Sequence, residues 1–133
     1  MNLPSNSLVC VVDGEVLRLY RNTGTAIEVA LSAVPAPPLE ERVVGSAGRI
    51  STEANPDNDT QAEDGHAMSV ALALNDWALK DKFEKLVVIA APKTMGELRK
   101  HWHKAVQERL LGEITKTLTG ASTEEIIRVI DAA

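Results

Sequence analysis

Four places in the chain bring together residue types that could do chemistry. Asp13 closes the apolar run LVCVV, and a carboxylate at the end of a first strand is where a metal-dependent nuclease would hold a divalent cation. His66 sits beside Glu63 and Asp64 and would be a pH-tuned base if a pocket enclosed it. The stretch APKTMGELRKHWHKAV, Ala91 to Val106, holds His101 and His103 among several charges. It also holds Lys93 and Thr94 just past an apolar run, where helix-start amides suit an anion. Cys10 is the single cysteine and lies inside LVCVV, so no internal disulfide forms and a buried thiol is the plain reading.

Each candidate has a simpler explanation. Asp13 precedes Gly14, and Asp-Gly is the dipeptide of a tight hairpin whose central residues take positive φ. His66 in the first turn of a helix is solvated in the usual case. On one helix, His101 and His103 stand about 200° apart around the axis, so the two cannot share a metal as an i,i+4 pair does. The chain has no Gly-rich phosphate loop, no G-x-S-x-G and no Cys/His zinc spacing. No cofactor and no metal site are expected.

The elements that must position these residues follow from periodicity. Two β-branched and aromatic runs flank Asp13-Gly14 in SLVCVVDGEVLRLYRN and predict an opening hairpin, and AIEVALSA alternates as a third antiparallel strand. From Pro35 to Gly65 prolines and acidic residues replace any period, which predicts a long flexible loop at about 35–65. Helical spacing then starts at Asp64 as N-cap and puts Ala67, Val70, Ala71, Leu74, Trp77 and Ala78 on one stripe. KLVVIAA, wholly apolar, reads as a central strand buried on both faces. Thr94 and Glu97 have the spacing of a capping box, ahead of a helix that buries Met95, Leu98, Trp102 and Val106. Gly112 ends that helix, EITKTLT is an edge strand, and Ser122 with Glu125 caps a last helix carrying Ile126, Ile127 and Ile130. The order βββαβαβα predicts an α/β fold: a mixed five-stranded sheet, order 3-2-1-4-5, with helices on its faces.

Bulk properties narrow the partners. At 133 residues and 44% hydrophobic, the chain is the size of one domain, 1–133, with one core. A net charge of -5 excludes coating of nucleic acid or anionic membrane by overall charge. The charge is unevenly spread: Lys80, Lys82, Lys85, Lys93, Arg99, Lys100, Lys104 and Arg109 outnumber Asp81, Glu84, Glu97 and Glu108 between residues 80 and 109. A local anion- or partner-binding edge is expected there, with Lys93, Thr94, Arg99, Lys100 and His103 as its residues. No apolar run of membrane-spanning length and no signal peptide is evident, so a cytoplasmic protein without membrane insertion is expected.

Three segments are specific in combination: LVCVVDGEVLRLYRN, LNDWALKDKFEKLVVIAAPKTMGELRKHWHKAV and ERLLGEITKTLTGASTEEI. Together they resemble the bacterial host attachment protein family, itself similar to the middle domain of archaeal and eukaryotic peptide-chain release factors and Pelota. The strongest part is VIAAPKTMGELRK, with Met95 where the family usually has leucine. Thr117 in KTLT departs from an acidic family position, and the segment before the first long helix lacks the aromatic and histidine residues often found there. The resemblance implies a release-factor middle-domain-like, ribonuclease H-like fold and a role in bacterial attachment to host cells. The Gly-Gly-Gln tripeptide of peptidyl-tRNA hydrolysis does not occur, so that activity does not carry over. The expected function is a non-enzymatic binding domain for RNA, the ribosome or another protein. The alternative is a hydrolase or nuclease using Asp13, His66 or the Lys93 to His103 region.

Overall fold

In the computed structural model residues 1–39 and 58–133 are described, the first helix with its side chains from Ala62 onward. The sheet has five strands in the order β3-β2-β1-β4-β5. They are β1 (Leu8–Val12), β2 (Leu17–Asn22), β3 (Leu31–Val34), β4 (Leu86–Ala90) and β5 (Leu110–Thr115). The first three pair antiparallel, and β1, β4 and β5 run parallel. Every residue of β1 and β4 is buried, as their unbroken apolar runs require of strands covered on both faces.

Both faces are covered by helices. Helices α1 (Asn58–Leu79), α2 (Pro92–Arg99) and α3 (Lys104–Arg109) supply one core with Leu8, Cys10, Val12, Leu86 and Val88 of the sheet. On the other face α4 (Thr123–Ala132) packs Ile126 and Ile130 against Val9, Val11, Val87 and Ile89. The alternation of β1 and β4 residues between these two cores is the period-2 geometry of a strand. The expected stripe of α1 holds: Ala67, Val70, Ala71, Leu74 and Ala78 are buried and Trp77 is half-buried against them. Among the described residues no helix is long and apolar enough to cross a membrane.

Several local expectations are corrected. The helix begins at Asn58, so Asp64 lies inside it and 58–65 is helical, while 40–57, the rest of the expected loop beyond Leu39, lies outside the described residues. The third strand covers only Leu31–Val34, because the preceding residues are curled by other bonds. Thr25 N donates to Glu28 O at 2.9 Å, Thr23 N to Ala30 O at 2.8 Å, and Ile27 is left 94% exposed. Gly112 does not end a helix but sits in β5, beside a register shift between Leu86 and Val87. Ser122 caps α4 as expected, its Oγ accepting from Glu125 N at 3.2 Å.

The expected helix through Ala91–Val106 is two helices. Pro92 occupies the first turn of α2, where its missing N–H costs nothing, and Ala91 is the N-cap with no side-chain hydrogen bond. Thr94 and Glu97 therefore form no capping box, because the N-cap is Ala91, three residues earlier. The chain then breaks between Arg99 and Lys104. Asn75 of α1 holds the break from outside: its Nδ2 donates to His101 O at 2.8 Å and its Oδ1 accepts from His103 N at 2.8 Å. Met95, Leu98, Trp102 and Val106 are nonetheless all buried on the α1 side.

Candidate anion- and partner-binding edge

Val12, Ala90 and Thr115 are level with one another across the three parallel strands, so the segments that follow them emerge side by side. These segments are the β1–β2 connection, the start of α2 and the chain leading to α4. The carboxyl ends of parallel strands are where α/β sheets bind ligands, since loops converge there and helices begin.

Asp13 organises this edge. Its Oδ1 accepts from Glu15 N at 2.8 Å and Val16 N at 2.7 Å, and its Oδ2 accepts the Thr119 hydroxyl at 2.7 Å. The hairpin thus closes through a carboxylate rather than through positive φ, which neither Asp13 nor Gly14 adopts. Gly14 serves close approach instead, since a Cβ there would lie 2.6 Å from Glu63 Cγ. Arg18 Nε donates to Thr119 O at 2.8 Å, tying β2 to the same loop.

His66 approaches from α1, its Nδ1 3.0 Å from the Asp13 carbonyl oxygen. A carbonyl only accepts, so this bond places the proton on Nδ1 and leaves the lone pair of the neutral ring on Nε2. Desolvation by itself would raise the Asp13 carboxyl. The bonds from Glu15 N, Thr119 and Val16 N, with the charge of His66, outweigh it and hold the group below the usual carboxylate range.

That direction has a consequence for acid stability. A carboxyl lowered in the fold adds stability above its unfolded pKa, and the contribution disappears as pH falls through the folded value. An asparagine side chain in place of Asp13 would keep an acceptor for the two amides but not the charge. The stability gap between wild type and Asp13→Asn is therefore expected to be largest near neutrality and to close below about pH 4. Denaturant midpoints measured from pH 7 to pH 2.5 check this, and a constant gap would count against the assigned role.

The five residues expected to bind an anion do not converge in one pocket. Lys93 and Thr94 lie in the first turn of α2 at this edge, with Lys93 Nζ 3.9 Å from Glu63 Oε1 and both side chains of that pair well exposed. Arg99, about 9 Å along the helix, donates from Nε and Nη2 to Glu113 Oε1 at 2.9 and 2.7 Å. Lys100 Nζ lies 3.1 Å from Glu97 Oε1. His103 caps α3, its Nδ1 accepting from Ala105 N at 2.9 Å. His101 bonds the buried Glu97 through Nε2 at 2.9 Å. Burial alone would raise Glu97, but the bonds and charges of His101 and Lys100 hold its carboxyl down.

The residues missed from the sequence are Arg18, Thr119 and Asn75. An asparagine inside the apolar stripe ALALNDWAL was the one available signal, since it is a poor residue for a helix interior unless its amide has work outside the helix. Among the described residues no group of three or more His, Cys, Asp or Glu is placed to hold a metal ion.

A mixed sheet with three parallel strands and helices on both faces makes this an α/β fold, with Asp13 organising the loops where the parallel strands end. The chain belongs to the bacterial archaeo-eukaryotic release factor family 12, whose sequence model matches residues 6–130. No relative was found among curated proteins.

Proposed function

We propose that the chain is a non-enzymatic binding domain that docks on RNA in the setting of translation, through the edge where β1, β4 and β5 end. Family membership supports a binding or translation-related role. The observation that carries the reading is how the polar groups of this edge are used. Asp13 spends both oxygens on three hydrogen bonds that shape loops, and the neighbouring Thr119 hydroxyl donates to it rather than facing a base. Among the described residues of this edge the Thr119 hydroxyl bonds the Asp13 carboxylate and His66 Nδ1 bonds the Asp13 carbonyl, so neither of these contacts pairs a base with a nucleophile.

What the edge offers a partner is cationic. Lys93 sits at the positive end of α2, whose N-cap Ala91 offers no side-chain bond, and Arg18 is exposed in β2, where it reaches the Thr119 loop at the same end of the sheet. The Lys93 and Glu63 pair is 3.9 Å apart and exposed, a kind of pair that contributes little in water. Thr94 adds an amide and a hydroxyl. Arg99, Lys100 and His103 form a second, more distant part of the contact, each already engaged within the chain. A role in bacterial attachment to host cells would then be indirect, through the translation of other proteins.

Binding of the purified chain to ribosomes or RNA should weaken with salt, by about 0.7 to 0.9 in the slope of log affinity against log salt for each phosphate contact. Lys93→Ala should reduce that slope, and Arg99→Ala with Lys100→Ala should reduce it less. The hydrolase or nuclease alternative draws on the His66 Nε2 lone pair, and metal-dependent turnover abolished by Asp13→Asn would favour it.

A further inference from the structure

The opposite edge of the sheet holds a cleft of about 290 Å³. Its walls are Pro4–Ser7, which lead into β1, and Asp81–Lys85, which lead into β4; Leu8 N donates to Lys85 O at 2.9 Å where the two walls meet. Arg21 spans them: Nη1 donates to Asn6 O at 3.0 Å and Nη2 to Lys82 O at 3.1 Å. Asn6 and Asp81, one on each wall, are the non-glycine residues with positive φ among the described residues, at 70° and 55°. Each is held there, Asn6 by its N–H to Asn22 O at 2.8 Å and Asp81 by Arg109 Nη2 on its Oδ1 at 2.7 Å.

Ser7 is the most buried residue lining this cleft, at 1% exposure, and its Oγ has no hydrogen-bond partner. That atom is enclosed, and what the cleft presents to solvent is charge. Arg21, Lys82 and Lys85 face Asp81 and Glu84, and Asp81 is already matched by Arg109, so the lining has an excess of positive charge. The Lys82 ammonium lies over Trp77, 6.0 Å from the ring centroid, which leaves Arg21 and Lys85 as the cations best able to turn to a ligand. Arg21 uses two of its five N–H donors on the walls and keeps the others. Phe83, 3% exposed, adds an apolar surface.

We infer that this cleft is a second binding site, separate from the docking edge, and that it takes a small phosphate-bearing molecule such as a sugar phosphate. A phosphate monoester carries close to two negative charges at neutral pH and presents oxygens in several directions, so the Arg21 fork and the Lys85 ammonium can each take one, where a carboxylate has a single charge to share between them. The volume is at the low end of the roughly 300–1,000 Å³ typical of small-molecule sites, which fits a phosphate on one small ring and little more.

The test is a titration of the full chain with ribose 5-phosphate, followed by amide chemical shifts, with inorganic phosphate as competitor and with ribose and acetate as controls. Saturable shifts at Asn6, Ser7, Phe83 and Lys85 are expected, reversed by inorganic phosphate and absent with ribose. Lys85→Gln changes only an exposed side chain and should weaken binding about tenfold. The inference is overturned if ribose 5-phosphate gives no saturable shifts, if binding is undiminished in Lys85→Gln, or if the shifts fall at Lys93 instead. Equal binding of acetate would overturn the phosphate assignment.

Discussion

Trp102→Ala should lower the stability of the domain by about 3 to 5 kcal/mol, the range for truncating a large buried aromatic. Trp102 is 9% exposed and belongs to the core that α1, α2 and α3 share with the sheet, so three helices lose a common contact at once. The site cannot refill easily, because the corner around Trp102 is held at fixed spacing by the two Asn75 bonds to His101 O and His103 N. The indole Nε1 is buried without a hydrogen-bond partner, which adds a second expectation. Trp102→Phe loses volume but also removes an unsatisfied donor, so its cost should stay within about 1.5 kcal/mol. Equal denaturant midpoints for wild type and Trp102→Ala would mean the ring is not in this core.

Asn22→Ala should cost about 3 kcal/mol, because one small side chain satisfies several backbone groups that lose about 1 to 3 kcal/mol each when left buried and unpaired. Asn22 is fully buried. Its Nδ2 donates to Leu3 O at 2.8 Å and Thr25 O at 3.1 Å, and its Oδ1 accepts from Gly24 N at 2.9 Å and Ala30 N at 3.1 Å. The amide therefore ties the N-terminal segment to the β2–β3 connection. Asn22→Asp should be at least as damaging, since a carboxylate would face the Leu3 and Thr25 carbonyls that the amide now serves. Urea titration of both variants measures this, and a change in midpoint no larger than that of an ordinary surface substitution would contradict it.

Much of the architecture was legible because burial leaves a period. LVCVV and LVVIA have no polar face, so both had to be central, and the helical crossovers around them led to the order 3-2-1-4-5. Met95, Leu98, Trp102 and Val106 share a helical period and are all buried, although the backbone between them is broken. The break is held by Asn75, far away in sequence, and the residues around the break carry no trace of that partner. The third strand failed for a related reason: Ile27 and Val29 alternate correctly, but the Asn22 amide and the Thr25 turn claim the backbone of Gly24, Glu28 and Ala30 around them. Asp13 was read correctly as a turn residue, while its bond to Thr119 and the His66 contact to its carbonyl depend on sheet register and lay beyond the sequence.

The central claim is that the edge beyond β1, β4 and β5 docks an RNA surface through Arg18 and Lys93. The most direct measurement is the salt dependence of ribosome or RNA binding for wild type and for the Arg18→Ala, Lys93→Ala double variant. The two contacts should account for about 1.4 to 1.8 in the slope of log affinity against log salt, so the variant should be shallower by that amount while folding normally. Identical slopes for the two proteins, or no salt-sensitive binding by the wild type, would contradict the account and direct the search to a protein partner.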